Sequence, residues 1–212
     1  MDEIIKEKTE LVLDNIGIRL GSKELFFNIN AKVVSGELLA ITGRNGAGKS
    51  TLLKIIAGIV KPSCGTANLI INGKGVSGEE RTASLGIVSP ELVFYNYFTG
   101  LENIEFLHKL RQKKLTEVEK AALFASLGLE GDKETLVKYY STGMRQRLKL
   151  ASLISLNPPL WLLDEPSSNL DEAGCQFIDD IIKSALKNSA IVVLATNRPE
   201  ETKYAKNIIN LN

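Results

Sequence analysis

The sequence contains one stretch whose residue types and spacing suit phosphate chemistry. GRNGAGKS, at 43–50, matches the pattern G-x-x-x-x-G-K-[ST] at every fixed position. Glycines let the backbone curl so that successive N–H groups point at phosphate oxygens, and Lys49 can reach the β- and γ-phosphates. The Ser50 hydroxyl can ligate Mg²⁺. The pattern predicts a nucleoside triphosphate site formed by Gly43, Arg44, Asn45, Gly46, Ala47, Gly48, Lys49, Ser50 and Thr51.

Two adjacent acids follow a second apolar run. LWLLDEP, at 160–166, predicts a strand that delivers Asp164 at its end, where the carboxylate can hold the Mg²⁺ shell. Glu165 is then placed to polarise an attacking water as a general base. Two acids at the end of an apolar strand are unfavourable unless a cation is nearby. A magnesium–nucleotide site is therefore preferred over a plain surface turn.

The elements that must position these groups alternate between strands and helices. LLAIT, at 38–42, is a continuous apolar run typical of a strand buried on both faces. STLLKIIAG, at 50–58, predicts a short helix, whose first N–H groups add to the anion site. This strand–loop–helix context disfavours a chance run of glycines. The loop alone leaves kinases, GTPases, helicases and transport ATPases open.

The rest of the chain divides into a strand-rich start, a helical middle and an alternating end. Thr99 and Thr116 open capping boxes in the helical middle, and AIVVLAT, at 190–196, returns to buried strand. We predict one domain, 1–212, of the α/β class. Its core carries a mostly parallel sheet, with an N-terminal antiparallel β subdomain and an α-helical subdomain inserted at about 90–157.

Composition and charge exclude several classes of protein. The 26 basic and 25 acidic residues give a net charge of +1, so we expect no nucleic-acid partner. Two distant cysteines form neither a metal cluster nor a disulfide framework. The charged stretch MDEIIKEKTE, at 1–10, is not a signal peptide, and no run reaches the roughly 18 apolar residues that span a bilayer. We expect a soluble chain that meets membranes through a partner.

Two further motifs give the chain a family resemblance. YSTGMRQRLKLA begins at Tyr140, and its Ser141 stands 23 residues ahead of Asp164. SSNLD, at 167–171, follows the second acid. With the phosphate loop, these motifs resemble those of ABC-type ATPases, the nucleotide-binding subunits of ABC transporters, from about residue 10 to the C-terminus. The resemblance implies a P-loop NTPase core that binds ATP and Mg²⁺.

The resemblance also implies a head-to-tail homodimer or heterodimer with two ATP molecules between the chains. From one chain each site would use Lys49, Ser50, Asp164 and Glu165. From the other chain it would use the signature residues Ser141, Thr142, Gly143 and Met144. The Ser141 hydroxyl and the Gly143 amide would meet the γ-phosphate. The dimer-contacting loop would be Ser168, Asn169, Leu170 and Asp171. On its own, STGM could equally be the cap of a helix that starts near Met144.

The chain departs from the family pattern beside the nucleotide. Leu20 stands where the family stacks an aromatic ring on adenine, and a leucine gives apolar contact without π stacking. Phe26 or Phe27 could substitute, but both are predicted to be core residues. Pro90 stands where a glutamine contacts Mg²⁺ and links to the helical subdomain, and a proline offers no polar side chain. Ser89 or Glu91 could take over this contact, Glu91 as a magnesium ligand.

Asn197 marks a third departure, since the family carries a histidine after the last core strand. The asparagine can donate an amide N–H to the γ-phosphate but cannot carry charge or shuttle a proton. The chain's one histidine, His108, lies in the helical middle and is predicted to be an ordinary helix residue. Glu165 remains as the base, so we predict slow but real ATP hydrolysis with Glu165, Lys49 and Asn197 as the catalytic residues.

The resemblance implies a motor subunit that energises transport through separate membrane subunits, on the inner face of the cell membrane. The aromatic-rich segment Glu91–Gly100 is a predicted contact for these permeases, although its rings could equally pack the helical subdomain onto the core. The short length also resembles the haem-exporter type of cytochrome c maturation. Two alternatives stay open: a nucleotide-gated switch with little turnover, and a non-transport ABC ATPase, which the near-neutral charge disfavours.

Overall fold

The chain folds around two β-sheets that share one hydrophobic core. The structure is a computed structural model that describes residues 8–168 and 170–211. In chain order its strands are β1 (Thr9–Leu20), β2 (Lys23–Val34), β3 (Leu38–Thr42), β4 (Cys64–Ile71), β5 (Lys74–Val76), β6 (Leu85–Val88), β7 (Leu160–Asp164), β8 (Ile191–Ala195) and β9 (Ala205–Asn210). Its α-helices are α1 (Lys49–Ile56), α2 (Gly78–Ala83), α3 (Gly100–Leu110), α4 (Glu117–Ser126), α5 (Thr142–Leu156) and α6 (Glu172–Lys187).

The parallel sheet has the strand order β6-β7-β8-β3-β9. Strands β7 and β8 are buried at every residue, because helices cover both faces of a sheet of this kind. The carboxyl ends of parallel strands meet at one edge, where ligands bind in open α/β sheets. At that edge Thr42 leads into the phosphate loop, Asp164 into the second acid, and Ala195 into Asn197.

The antiparallel sheet has the strand order β2-β1-β4-β5. A bulge at Asn28, with φ of 57°, shifts the register of β2 against β1. The shift buries Phe26, which is 8% exposed, and leaves Phe27 at 39% exposed on the other face. The expectation that both rings are core residues therefore holds for Phe26 and is wrong for Phe27. The Phe27 ring instead covers Gly17, where a Cβ atom would lie 2.4 Å from it.

The helical middle is an insertion into the parallel sheet. Strands β6 and β7 are hydrogen-bonded neighbours, so the chain leaves the sheet after Val88 and returns to it at Leu160 after building α3, α4 and α5. Both predicted capping boxes form, at Thr99 and Thr116. The predicted fold class is confirmed, including the antiparallel subdomain and the inserted helices. None of the described helices has both the length and the apolar character needed to cross a membrane.

Candidate nucleotide site

Two glycines of the phosphate loop hold conformations that other residues could not adopt there. Gly43 has a φ of 146°, and a Cβ atom on it would lie 2.3 Å from the carbonyl oxygen of Leu211. Gly48 has a φ of 104°, and its Cβ would lie 2.5 Å from Leu25 and 2.9 Å from Phe26. The loop is therefore packed from behind by side chains of β2. No local pattern predicted this support, because it comes from residues that are distant in the sequence.

Lys49 opens α1 and is 6% exposed. Its Nζ donates a hydrogen bond to the Gly43 carbonyl oxygen at 3.0 Å and lies 3.6 Å from Glu165 Oε1. A buried ammonium costs free energy unless anions or hydrogen-bond acceptors surround it. The loop carbonyl and the carboxylate supply these partners, and the phosphates of a nucleotide would add to them.

Asp164 ends β7 and is 7% exposed. Burial raises the pKa of the Asp164 carboxyl, a hydrogen bond from Ser50 and the charge of Lys49 lower it, and the charges of Glu165 and Glu91 raise it. A hydroxyl beside a buried carboxylate is a set of hard oxygen donors, which suits Mg²⁺. The described residues hold no group of three His, Cys, Asp or Glu that could bind a metal alone.

Glu165 has a backbone conformation that is rare for its residue type. Its φ is 47°, and its N–H donates to the Ala195 carbonyl oxygen at 2.9 Å. The Ser168 hydroxyl donates to Glu165 Oε2 at 3.2 Å. Strain of this kind persists only where neighbours enforce it, and it concentrates at functional sites. The carboxylate of the predicted general base is therefore held beside Lys49.

Asn197 follows β8 and is exposed. Its amide Nδ2 lies 3.5 Å from Asn45 Oδ1, a weak hydrogen bond that joins the strand end to the phosphate loop. The structure thus brings Asn197 to the phosphate loop, as predicted from its position after the last core strand. The preceding Thr196 is buried and donates its N–H to Ile41 of β3 at 3.0 Å, which fixes the backbone there.

The signature residues open α5. Ser141 is the N-cap, and its hydroxyl oxygen accepts a hydrogen bond from Met144 N at 3.2 Å. The helix begins at Thr142, so the predicted start near Met144 is two residues late. Thr142 is exposed, and the nearest neighbour of a Cβ on Gly143 would be 4.0 Å away. These groups are open to an anion from outside the chain.

The predicted dimer loop lies beside the signature. Gly143, Leu170 and Asp171 line one cavity of about 330 Å³, and Asp171 caps α6 by accepting from Gly174 N at 2.8 Å. Gln146 Nε2 also donates to the Pro166 carbonyl oxygen at 2.7 Å, tying α5 to the turn after the acids. Asn169 lies outside the described residues. So does the side chain of Leu20, at the end of β1.

The segment after β6 is held by two lysines that sequence reasoning missed. Lys149 of α5 donates to the Ser89 carbonyl oxygen at 2.8 Å, and Lys54 of α1 pairs with Glu91 at 2.9 Å. Glu91 lines a cavity of about 240 Å³ together with Ser50 and Asp164, among others. The structure thus brings Glu91 near the predicted magnesium ligands while giving its carboxylate another cation.

The aromatic-rich segment Glu91–Gly100 divides between interior and surface. Phe94 packs against the core of the helical subdomain, whereas Tyr95, Tyr97 and Phe98 are exposed. The rings of Tyr95 and Phe98 lie 5.1 Å apart, and both contact Phe106 of α3. The segment therefore presents a pre-packed aromatic surface of the kind enriched at protein interfaces.

Comparisons with known proteins agree with this geometry. The family model described as ABC transporter matches residues 26–168. The chain is 34% identical over 195 residues to the cytochrome c biogenesis ATP-binding export protein CcmA of Agrobacterium fabrum, covering 90% of each. It is also 34% identical over 200 residues to ABC transporter I family member 1 of Arabidopsis thaliana, covering 92% of this chain and 85% of the relative.

Solved structures share the fold. A putative ABC transporter ATP-binding protein from Pyrococcus furiosus superposes with a TM-score of 0.82 at 23% identity, covering 95% of this chain and 97% of that one. A bacterial Atm1-family ABC exporter with ATP bound gives the same TM-score at 23% identity, covering 97% of this chain and 37% of the exporter chain. The match along most of both sequences and the site at the sheet edge lead to one conclusion. The chain belongs to the ABC transporter family, as an ATP-binding subunit.

Proposed function

We propose that this chain hydrolyses ATP slowly and uses the reaction to drive transport through separate membrane subunits. The observation that carries the proposal is the convergence of Lys49, Asp164 and Glu165 at one edge of the parallel sheet, with two of these charges buried. Charges are placed in this way where a phosphoryl group must be stabilised as it leaves. ATPase activity is the general property of the family.

The residues divide the chemistry between binding and proton transfer. Lys49 and the N–H groups of the phosphate loop bind and orient the phosphates. Ser50 and Asp164 would hold Mg²⁺, which supplies charge neutralisation between the β- and γ-phosphates. Glu165 accepts the proton of the attacking water, and the Ser168 hydroxyl keeps that carboxylate in place.

The turnover rate is proposed to be low because two polar contacts of the family pattern are replaced. Pro90 has no polar side-chain atom, and Asn197 has no ionisable one. Loss of one positioned polar group typically costs about 10²–10³ in rate. The same two residues support a second candidate, a switch that dimerises on ATP with little turnover. Hydrolysis is favoured because the base and its lysine partner are both in place.

The deciding experiment compares ATP turnover by the purified full chain with turnover by Glu165→Gln. The amide keeps the size of the side chain and one acceptor oxygen but cannot accept the proton. We expect Glu165→Gln to bind a fluorescent ATP analogue with unchanged affinity and to lose at least about 10²-fold in turnover. Equal turnover by the two proteins would contradict ATP hydrolysis and favour the nucleotide-gated switch.

The permease contact is proposed to lie on Glu91–Gly100. Exposed Tyr95, Tyr97 and Phe98 support this assignment, since aromatic rings are enriched at interface cores. The ATP sites are proposed to form between two such chains, at the inner face of the cell membrane. Co-purification with a membrane protein, lost in Tyr97→Ser but retained in Tyr139→Ser, would support the assignment. A wholly soluble native complex would contradict it.

A further inference from the structure

The segment from Ser89 to Leu92 lies between the nucleotide site and the helical subdomain. It follows Val88 of β6, which pairs with Leu163 of β7 beside Asp164. The Leu92 N–H donates to the Ser89 carbonyl oxygen at 3.2 Å, so the segment forms a turn. Pro90 within it contributes only a backbone carbonyl and a fixed φ. Links from this turn to its surroundings can therefore use its backbone groups, the Ser89 hydroxyl or the Glu91 carboxylate.

Lys149 provides the link to the helical subdomain. It stands in α5, the helix that the signature residues open, and it is half-buried. Its Nζ donates to the Ser89 carbonyl oxygen at 2.8 Å and approaches the Pro90 carbonyl oxygen at 3.4 Å. Burial lowers the pKa of the Lys149 ammonium. A hydrogen bond from a charged donor is about twice as strong as one between neutral groups. The Lys149 ammonium is therefore suited to hold a backbone turn.

Lys54 provides the link to the nucleotide side. It stands in the last turn of α1, the helix that begins with Lys49. Its Nζ lies 3.0 Å from Glu91 Oε1 and 2.9 Å from Oε2, so both carboxylate oxygens are engaged. Both side chains are exposed, and exposed ion pairs contribute little to stability. The Lys54–Glu91 pair therefore fixes the position of the turn and adds little to the stability of the fold.

We propose that Lys54 and Lys149 are positioning residues that clamp the Ser89–Glu91 turn between α1 and α5, in place of the side-chain contact that Pro90 cannot make. The clamp joins the helix that starts at the phosphates to the helix that starts at the signature. A nucleotide-dependent shift of the phosphate loop is thereby passed to α5 through two lysines. This inference rests on the proposed function, which it deepens.

The test uses Lys149→Met, which keeps the side-chain length and removes the donor, and Lys149→Arg, which restores one. Lys74→Met, at an exposed lysine of β5, is the matched control. We expect Lys149→Met to lower kcat about tenfold with little change in the ATP Kd, since misplaced catalytic groups cost rate before binding. Lys149→Arg should recover most of that loss, and Lys74→Met should behave as the parent. Where the parent chain turns ATP over faster than Glu165→Gln, an equal kcat in Lys149→Met and the parent overturns the clamp.

A double-mutant cycle tests whether the two lysines act on one turn. Lys54→Met and Lys149→Met are expected to lower kcat by similar factors, and the double variant by little more than either alone, because each already releases the same segment. Fully multiplicative losses would show independent effects and overturn the clamp. The pair Lys54→Glu with Glu91→Lys should restore the activity that either single change loses.

Hydrogen exchange separates the clamp from the hydrolysis proposal. In the parent chain, ATP with Mg²⁺ is expected to slow exchange at both 43–50 and 89–98. In Lys149→Met the effect should persist at 43–50 and vanish at 89–98, whether or not the chain turns ATP over. An ATP-induced change at 89–98 that survives in Lys149→Met, or is absent from the parent, overturns the clamp. Failure of hydrolysis alone appears only in the Glu165→Gln comparison.

Discussion

The candidate site has an inner half and an outer half that are held in different ways. The inner half consists of Lys49, Ser50, Asp164 and Glu165, and the outer half of Ser141, Gly143 and Asn197. Lys49 and Asp164 are nearly buried and engaged in hydrogen bonds or ion pairs, whereas Ser141 and Asn197 are exposed. Buried charges need fixed partners within the chain. Exposed polar groups need none, and so remain available to a second molecule.

The contrast predicts how strongly each half responds to substitution. Changes in the inner half should remove binding or chemistry from the isolated chain. Changes at Ser141 and Gly143 should act only when a second chain completes the site, and so depend on protein concentration, whereas Asn197 already contacts the phosphate loop of its own chain. The following four predictions test this contrast, in order of decreasing expected effect.

Lys49→Met should lower turnover about 10³-fold, since it removes a positioned charge from a water-poor site. Methionine fills the same volume, so the unfolding midpoint should change little. Binding of a fluorescent ATP analogue and phosphate release would be measured beside Lys74→Met as a surface control. If Lys49→Met turned ATP over at nearly the parent rate, the proposed role of the inner half in hydrolysis would be contradicted.

Gly48→Ala should destabilise the fold by about 3 kcal/mol, roughly a hundredfold in the folding equilibrium, through a left-handed φ and overlap with Leu25 and Phe26. Gly46→Ala is the control, because its φ of 82° is also left-handed but no atom lies within 4 Å of its Cβ. That variant should lose only about 1–2 kcal/mol. Urea unfolding of both variants measures the difference, and equal losses would contradict the packing of β2 against the loop.

Ser141→Ala should lower turnover about tenfold at saturating protein concentration, because it removes a hydroxyl proposed to meet the γ-phosphate. It also removes the N-cap of α5, which costs about 1 kcal/mol. Ser141→Asn restores a capping group of different shape and separates the two effects. If Ser141→Asn recovers turnover as fully as stability, the hydroxyl acts as a cap alone.

Asn197→His should raise turnover a few-fold, up to about tenfold, with an unchanged ATP Kd. An imidazole can carry charge and transfer a proton, which the amide cannot. Asn197→Ala is the matched comparison and should lower turnover by removing the last donor at this position. Flat turnover across all three side chains would show that the position does not take part in the reaction.

Local patterns were enough to predict the fold class and the inner half. The phosphate loop, the Asp164–Glu165 pair and the capping boxes at Thr99 and Thr116 each depend on a few adjacent residues. Such patterns survive in any tertiary context. For the same reason the alternation of strands and helices was sufficient to predict a parallel sheet with an insertion.

Features that depend on distant contacts were missed. One difference is local: α5 begins two residues before the predicted start, because Ser141 is itself its N-cap and accepts a hydrogen bond from Met144 N. The exposure of Phe27 follows from a bulge at Asn28, where a non-glycine residue takes a positive φ. The contact of Lys149 with Ser89 joins residues that are 60 positions apart in the sequence, so no local spacing predicts it.

The contact between Gly43 and Leu211 has a consequence for biosynthesis. Thr42, the residue before the first glycine of the phosphate loop, accepts a hydrogen bond from Leu211 N at 2.8 Å, and its side-chain hydroxyl donates to the carbonyl oxygen of Ile209 in β9, 167 residues away. Contacts of such separation close a long loop and form late. During translation, the phosphate loop is therefore made well before the strand that supports it. We expect a chain truncated before β9 to bind ATP more weakly than the whole chain.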